Sequence, residues 1–227
     1  MMFREFESTA HQFPTELRFP EFSGTRIMMM PFVIGGTLLR LAPQYQDMLE
    51  KLSEHIDEFT GQTGYLTIDE SIVYAGKTLR RPGLHVDGVY NGSAGSWGGG
   101  GGSWGGGGKK NPNDGNGMLL ASSTPHCRFY TGIFSGEIGD DGECDSIDVS
   151  DARVSTIEPN RPYWCNPLCV HESLPVLIDT PRQFIRISLP STAPWFKGYT
   201  ENPDGVPPTG PVLPERTKYM ESSAHSG

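Results

Sequence analysis

Arg182-Gln183-Phe184-Ile185-Arg186-Ile187-Ser188-Leu189 is the stretch on which the fold turns. It is rich in β-branched and aromatic residues and alternates in character, which reads as a β-strand. The two-residue period sends Arg182, Phe184, Arg186 and Ser188 to one face and Gln183, Ile185, Ile187 and Leu189 to the other. The second face is made to pack against an apolar layer. The first carries two guanidinium groups, and an inward arginine in a sheet core needs an anion, because an uncompensated buried charge is costly. A planar guanidinium grips a carboxylate in two places, so a dicarboxylate ligand meets that need. The competing reading is an exposed edge strand with two solvated arginines.

Working outward, further strand signals fall at Tyr65–Ile68, Ser71–Tyr74, Leu84–Tyr90, Met118–Ala121, Arg128–Phe134, Val154–Ile157 and Leu168–His171. Each is short and bounded by Gly, Pro or polar turn residues. One helix precedes them, at about 43–60. Pro43 suits a first helical position, and Tyr45, Met48, Leu49, Leu52, Ile56 and Phe59 recur at helical spacing. Asp47, Glu50, Lys51, Glu54 and Asp57 take the opposite face, and Gly61 offers a stop. Many short strands after one covering helix favour an antiparallel sandwich or barrel over a βαβ fold. The first forty residues read as strands or arms packed on that domain.

At 227 residues the chain fits one domain. We assign residues 1–192 to it. A Gly-rich insert at 93–117, around Trp97 and Trp104, cannot bury enough apolar surface to offset its ordering entropy. Candidate ligands lie on both sides of it, so it reads as a loop within the domain, either a lid or an interaction arm. Between Gly136 and Asp151 runs an acidic loop. Residues 193–227 form a Pro/Gly-rich tail anchored by Trp195, Phe196 and Tyr199. The net charge of −9 argues against a dedicated nucleic-acid binder, although Lys77, Arg80 and Arg81 approach a local basic patch. No run is long and apolar enough for a membrane span, and the N-terminus lacks a signal-peptide core. The four cysteines, Cys127, Cys144, Cys165 and Cys169, are few for a secreted disulfide scaffold, so the expected compartment is cytoplasmic.

Chemistry enters at Leu84-His85-Val86-Asp87-Gly88. On a strand, His85 and Asp87 share a face and can chelate one cation, with Val86 turned away. Nitrogen plus oxygen ligation with open positions suits non-haem Fe(II), where a second histidine completes the set. Cys169-Val170-His171-Glu172-Ser173-Leu174-Pro175 supplies a lone histidine at a strand end, followed by the arginine strand. Other signals are weaker. Cys165, Cys169 and His171, with Cys144 or Cys127, lack standard zinc spacing. Asp140, Asp141, Glu143 and Asp145 crowd together without the full calcium-loop pattern. The run Gly98–Gly108 opens no Gly-Lys-Ser/Thr helix and is not a phosphate loop.

Taken together, His85-x-Asp87, the distal His171 and Arg182 on the next strand resemble the Fe(II)/2-oxoglutarate-dependent dioxygenases, in their prolyl-hydroxylase-like branch. Tyr74-Ala75-Gly76 ahead of the first histidine and His171-Glu172-Ser173-Leu174-Pro175 add to the likeness, which spans about Ser71 to Leu189. The resemblance implies a mainly β, double-stranded β-helix (jelly-roll) fold. It implies Fe(II) on His85, Asp87 and His171, with no catalytic residue beyond these ligands. It places 2-oxoglutarate against Arg182, with Tyr74 as a hydrogen-bonding neighbour and Arg186 and Ser188 further along the same face. Arg186 has two other readings, as a contact to an anionic substrate or as a partner of Asp179 or another acid. O2 is the co-reactant and ascorbate an optional further cofactor; the substrate is a protein side chain or a small molecule. The Gly-rich insert and the acidic loop depart from the family pattern. The rival function is a catalytically silent jelly-roll module in a larger assembly.

Overall fold

The computed structural model describes residues 4–36, 40–79, 82–87, 116–139, 142–191 and 195–214. Residues 93–115 of the Gly-rich insert, Arg80 and Arg81, Gly88–Tyr90, and Asp140 and Asp141 fall outside the described residues.

The chain is mainly β. Six strands pair antiparallel in the order β2 (Ala10–Gln12), β8 (Tyr163–Cys165), β5 (Met118–Ser122), β10 (Thr180–Ser188), β4 (Thr63–Val73) and β3 (Arg26–Val33). A second sheet is built around β6 (Cys127–Gly136), which pairs antiparallel with β1 (Arg4–Ser8), β7 (Arg153–Thr156) and β9 (Val170–Ser173). His85 joins that sheet through a single bridge to His171. Among the described residues the sheets do not close into one barrel.

The decisive strand behaves as its period predicts. Ile185, Ile187 and Leu189 lie in an apolar cluster with Leu66, Ile68, Leu119 and Ala121, and the cluster is capped by Tyr45, Met48, Leu49, Leu52 and Ile56. A second cluster lies between the sheets, drawing Tyr65, Met118, Leu120, Tyr163 and Phe184 from the large sheet and Cys127 and Phe129 from the small one. A third covers the far side of the small sheet with Phe6, Tyr130, Phe134, Val170, Val86, Cys144 and Ile147. Burial of these three layers supplies the main driving force for folding. The acidic loop therefore does more than solvate charge, because Cys144 and Ile147 from it pack on the sheet.

Three expectations need correction. The helix spans only Gln46–Ser53 (α1), with 3-10 turns at Pro43–Tyr45 and Asp57–Phe59. Beyond Ser53 the bonds tighten, with His55 N–H to Leu52 O at 3.1 Å and Ile56 N–H to Ser53 O at 3.1 Å, which turns Ile56 into the core. The two strands expected at 65–68 and 71–74 are one strand, β4, running through two acids. Glu70 is tolerated there because it accepts from Tyr45 Oη (2.6 Å), Gln183 Nε2 (2.8 Å), Thr25 N (2.7 Å) and Ser23 N (2.8 Å). The strand expected at Leu84–Tyr90 reduces, within its described residues, to one bridging residue, His85, held between His171 and Glu143.

The tail packs as its aromatics suggest. Trp195 and Phe196 are buried, and β11 (Trp195–Phe196) pairs parallel with β12 (Val212–Leu213). Trp195 Nε1 donates to Met29 O at 2.9 Å. Among the described residues no helix is long and apolar enough to cross a membrane.

Candidate metal centre

Two backbone hydrogen bonds bring the histidines together: His85 N–H to His171 O and His171 N–H to His85 O, each 2.9 Å. They form a hydrogen-bonded antiparallel pair, so their side chains leave the same face. The ring centroids lie 4.3 Å apart at 56°. Val86 is held the other way by Val86 N–H to Gly142 O at 2.9 Å and is buried in the outer cluster, which leaves Asp87 on the histidine side. One donor atom each from His85, Asp87 and His171 falls within 4.8 Å of the others.

Each imidazole is also oriented. His85 Nδ1 lies 2.8 Å from Gly83 O, and His171 Nδ1 lies 2.9 Å from Cys169 O. A carbonyl only accepts, so both Nδ1 atoms carry a proton, and in the neutral ring the lone pair then sits on Nε2. Two neutral imidazoles and a carboxylate are the chemistry of a divalent-cation site, and outer partners of this kind fix ligand tautomer. His171 Nε2 is 3.9 Å from Asp87 Oδ2. Bonds of ~2.1 Å to an ion put neighbouring donors about 3 Å apart, so closing the set takes a contraction of about 1 Å between His171 and Asp87 and of no more than about 2 Å for any pair. The residues fit such an ion.

Both arginines are buried, and they do different things. Arg186, 1% exposed, donates from its Nη1 to Asp87 Oδ2 at 2.9 Å. Its acid is thus Asp87 and not Asp179, which accepts from Ala75 N. Arg182, 2% exposed, donates from Nε to Ser122 Oγ at 3.1 Å and lies 5.0 Å over the Phe184 ring. Ser188 turns its Oγ to Met29 Sδ at 3.9 Å. Tyr74 does not join these groups. β4 ends at Val73, Tyr74 takes the parity of exposed Ile72, and a turn closed by Lys77 N–H to Tyr74 O leaves it 56% exposed.

The zinc alternative is not assembled, since the one group of metal-ligating side chains gathered among the described residues is His85, Asp87 and His171. Nor do Glu143 and Asp145, the described acids of the calcium reading, form such a group. All four cysteines are buried. Burial pushes the Cys127 thiol up to about 12, and a hydrogen bond with Cys169 together with burial raises Cys165, so both behave as apolar filler. The carbonyls of Gly83 and Cys169, two residues before each histidine, escaped the sequence reading because backbone partners leave no residue-type signal.

Compared with known proteins, the chain matches no family model, no curated protein and no solved structure.

Proposed function

We propose that this chain is an Fe(II)- and 2-oxoglutarate-dependent dioxygenase on a double-stranded β-helix, hydroxylating a protein side chain or a small molecule. The observation that carries the reading is the convergence of His85, Asp87 and His171, with both Nδ1 atoms engaged by backbone carbonyls so that Nε2 is the ring atom left to ligate. Strand order supports it too. Along the chain β4, β5, β8 and β10 fall in the large sheet, while His85, β6, β7 and β9 fall in the small one. The large sheet orders its four as β8-β5-β10-β4, and His85, β9, β6 and β7 are successive neighbours in the other. Repeated crossing between two antiparallel sheets is how a jelly roll is wound.

Iron and ketoacid, when bound, supply O2 activation coupled to oxidative decarboxylation. The chain's own part is binding, orientation and exclusion of water. His85 and His171 offer neutral nitrogen donors, and Asp87 offers the anion. Arg186 donates to Asp87 Oδ2, the oxygen that also lies 3.9 Å from His171 Nε2, and so fixes the carboxylate beside the histidines. Arg182 sits on the same face of β10 as Arg186, where its guanidinium can pair with the distal carboxylate of the ketoacid.

The test is spectroscopic. Anaerobic protein with Fe(II) and 2-oxoglutarate is expected to develop a weak visible charge-transfer band, lost in His171→Ala. Absence of the band from folded protein, or its survival in that variant, overturns the assignment.

A further inference from the structure

Besides Asp87, two further carboxylates stand on the faces that enclose the metal centre, Glu143 and Asp69. Val86 N–H to Gly142 O and Cys144 N–H to Leu84 O, each 2.9 Å, flank the bridge between His85 and Glu143. In an antiparallel pair that is the narrow, non-hydrogen-bonded site, where opposed side chains stand closest and on one face. Cys144 packs with Val86 in the outer cluster, so Glu143, its chain neighbour, lies on the inner face beside His85. The Glu143 carboxylate leans over Gly139, where a Cβ would come within 2.5 Å of its Oε2. Asp69 lies on the inner face of β4, between Thr67, opposite Arg186, and Ser71, opposite Arg182. It is 7% exposed, and its Oδ1 is buried with no hydrogen-bond partner. Arg26 on β3 brings its Nε to 3.5 Å from that oxygen, on a side chain that is 64% exposed.

Sheet order and register set the two acids against each other. Phe129 on β6 meets Tyr163 on β8 at 5.3 Å between ring centroids, and Asp87 meets Arg186, so residues 84–87 face β10. The next segments outward on that flank are 142–144 in the small sheet and β4 in the large one. The turn after β4 is tied to Val176, just past β9, and β9 runs antiparallel to the His85 segment. A step from Asp87 back to His85 therefore runs the same way as a step from Thr67 to Asp69. Asp69 and Glu143 thus stand at the level of His85 on facing segments. Arg182 is held toward β5, where Ser122 Oγ accepts from its Nε, which leaves the β4 flank of the metal centre for the molecule to be oxidised. We propose that Asp69 and Glu143 form a cation subsite on that flank, and that the substrate carries an ammonium or guanidinium group. The subsite stands on the two acids alone, while the reaction it serves rests on the dioxygenase reading. A buried carboxylate oxygen without a donor has lost its water and regained nothing, and a charged N–H donor is the partner that best repairs the loss. Arg26 holds the place of that cation in the substrate-free chain. Asp69 and Glu143 are specificity residues and do not touch the reacting atoms.

The experiment uses the full chain and the probes butylammonium, butylguanidinium, 1-butanol and butyrate. Saturation-transfer NMR on metal-free protein reads affinity. With Mn(II) and 2-oxoglutarate present, paramagnetic broadening of the probe methyl protons reads nearness to the ion. Both cations should bind on the order of tenfold more tightly than 1-butanol or butyrate. Glu143→Gln and Asp69→Asn should each weaken the cations by roughly three- to tenfold and leave 1-butanol within about twofold. Arg26→Gln, which removes the competing guanidinium, should strengthen the cations, a gain that a merely damaged fold would not give. Nα-acetyl-lysine N-methylamide against free lysine then distinguishes a peptide source of the cation from a small molecule, and tighter binding of either than of 1-butanol supports the subsite. Equal binding of cations and 1-butanol, cation affinities unmoved in both acid variants, or weaker binding in Arg26→Gln overturns the proposal. Absence of broadening in a chain that does bind Mn(II) overturns it as well. Cation binding that depends on both acids, in a chain that forms no iron band, sustains the subsite and sinks the dioxygenase reading. Matching thermal melts for the variants confirm that folded protein is being compared.

Discussion

Replacing Arg186 with Met tests the electrostatics of the centre directly. The guanidinium is 1% exposed and its Nη1 lies 2.9 Å from Asp87 Oδ2, while Asp87 is 5% exposed. Met has similar length and no charge, so the variant fills the space and strands the carboxylate. Breaking a buried pair by removing one partner costs about 3–5 kcal/mol. For a chain of this size each kcal/mol moves Tm by roughly 2–4 °C, so the metal-free Tm should fall by roughly 6–20 °C. A divalent ion at the triad returns positive charge to Asp87. Saturating Co(II) or Zn(II) should therefore raise Tm more in Arg186→Met than in wild type. Adding Asp87→Asn should recover much of the metal-free stability and remove the extra metal response. Calorimetry or circular-dichroism melts, with and without metal and with a chelator control, read all four quantities. A loss under about 1 kcal/mol, or equal metal shifts in both proteins, would refute the claim that one carboxylate serves both Arg186 and the ion.

Other expectations follow from single sites. Hydrogen bonds from Tyr45, Gln183, Thr25 and Ser23 outweigh burial, which acts the other way, and lower Glu70 from 4.5 to about 2. Its contribution is full above pH 4.5, is lost as pH falls through about 2, and amounts to about 3 kcal/mol. Glu70→Gln should flatten that acid limb in pH-dependent melts, and an unchanged limb would place the acid sensitivity elsewhere. Arg182→Ala should weaken 2-oxoglutarate binding far more than Arg186→Ala, measured by titration at fixed Mn(II); the opposite order would exchange their roles. Gly117 has φ +77°, and a Cβ there would sit 2.2 Å from Cys165 O, joining β5 to β8 too closely for any side chain. Gly117→Ala should cost about 2 kcal/mol or more in denaturant melts.

What was legible in the sequence followed local rules. Alternation alone put His85 and Asp87 on one side of Val86, and it sorted β10 into an apolar face and an arginine face. Both hold in the structure even though the strand around His85 shrank to one bridging residue, because side-chain parity survives loss of the ladder. Non-local contacts were harder. Nothing in the chain's pattern distinguishes Asp87 from Asp179 as the partner of Arg186, since the choice depends on how the two sheets face each other. Tyr74 misled for a related reason. Its spacing ahead of His85 fits the family pattern, but the 74–77 turn is tied to Val176 by Gly76 N–H to Val176 O at 2.8 Å, which carries the ring outward.

The distribution of polar groups carries the strongest argument for function. Beneath α1 the buried polar groups are few and satisfied within the protein, Glu70 accepting from Tyr45 and Gln183. Between the sheets, by contrast, the row Ser71, Asp69 and Thr67 on β4 faces Arg182, Phe184 and Arg186 on β10, with Ser122 beyond on β5 and His85 and Asp87 across the gap. Stability alone does not favour this, since replacing a buried ion pair by well-packed apolar residues is often neutral or stabilising. Between its sheets the chain keeps two guanidinium groups, a carboxylate and two oriented imidazoles. The cation proposed at the triad and the anion proposed at Arg182 would give the arrangement a purpose that packing does not.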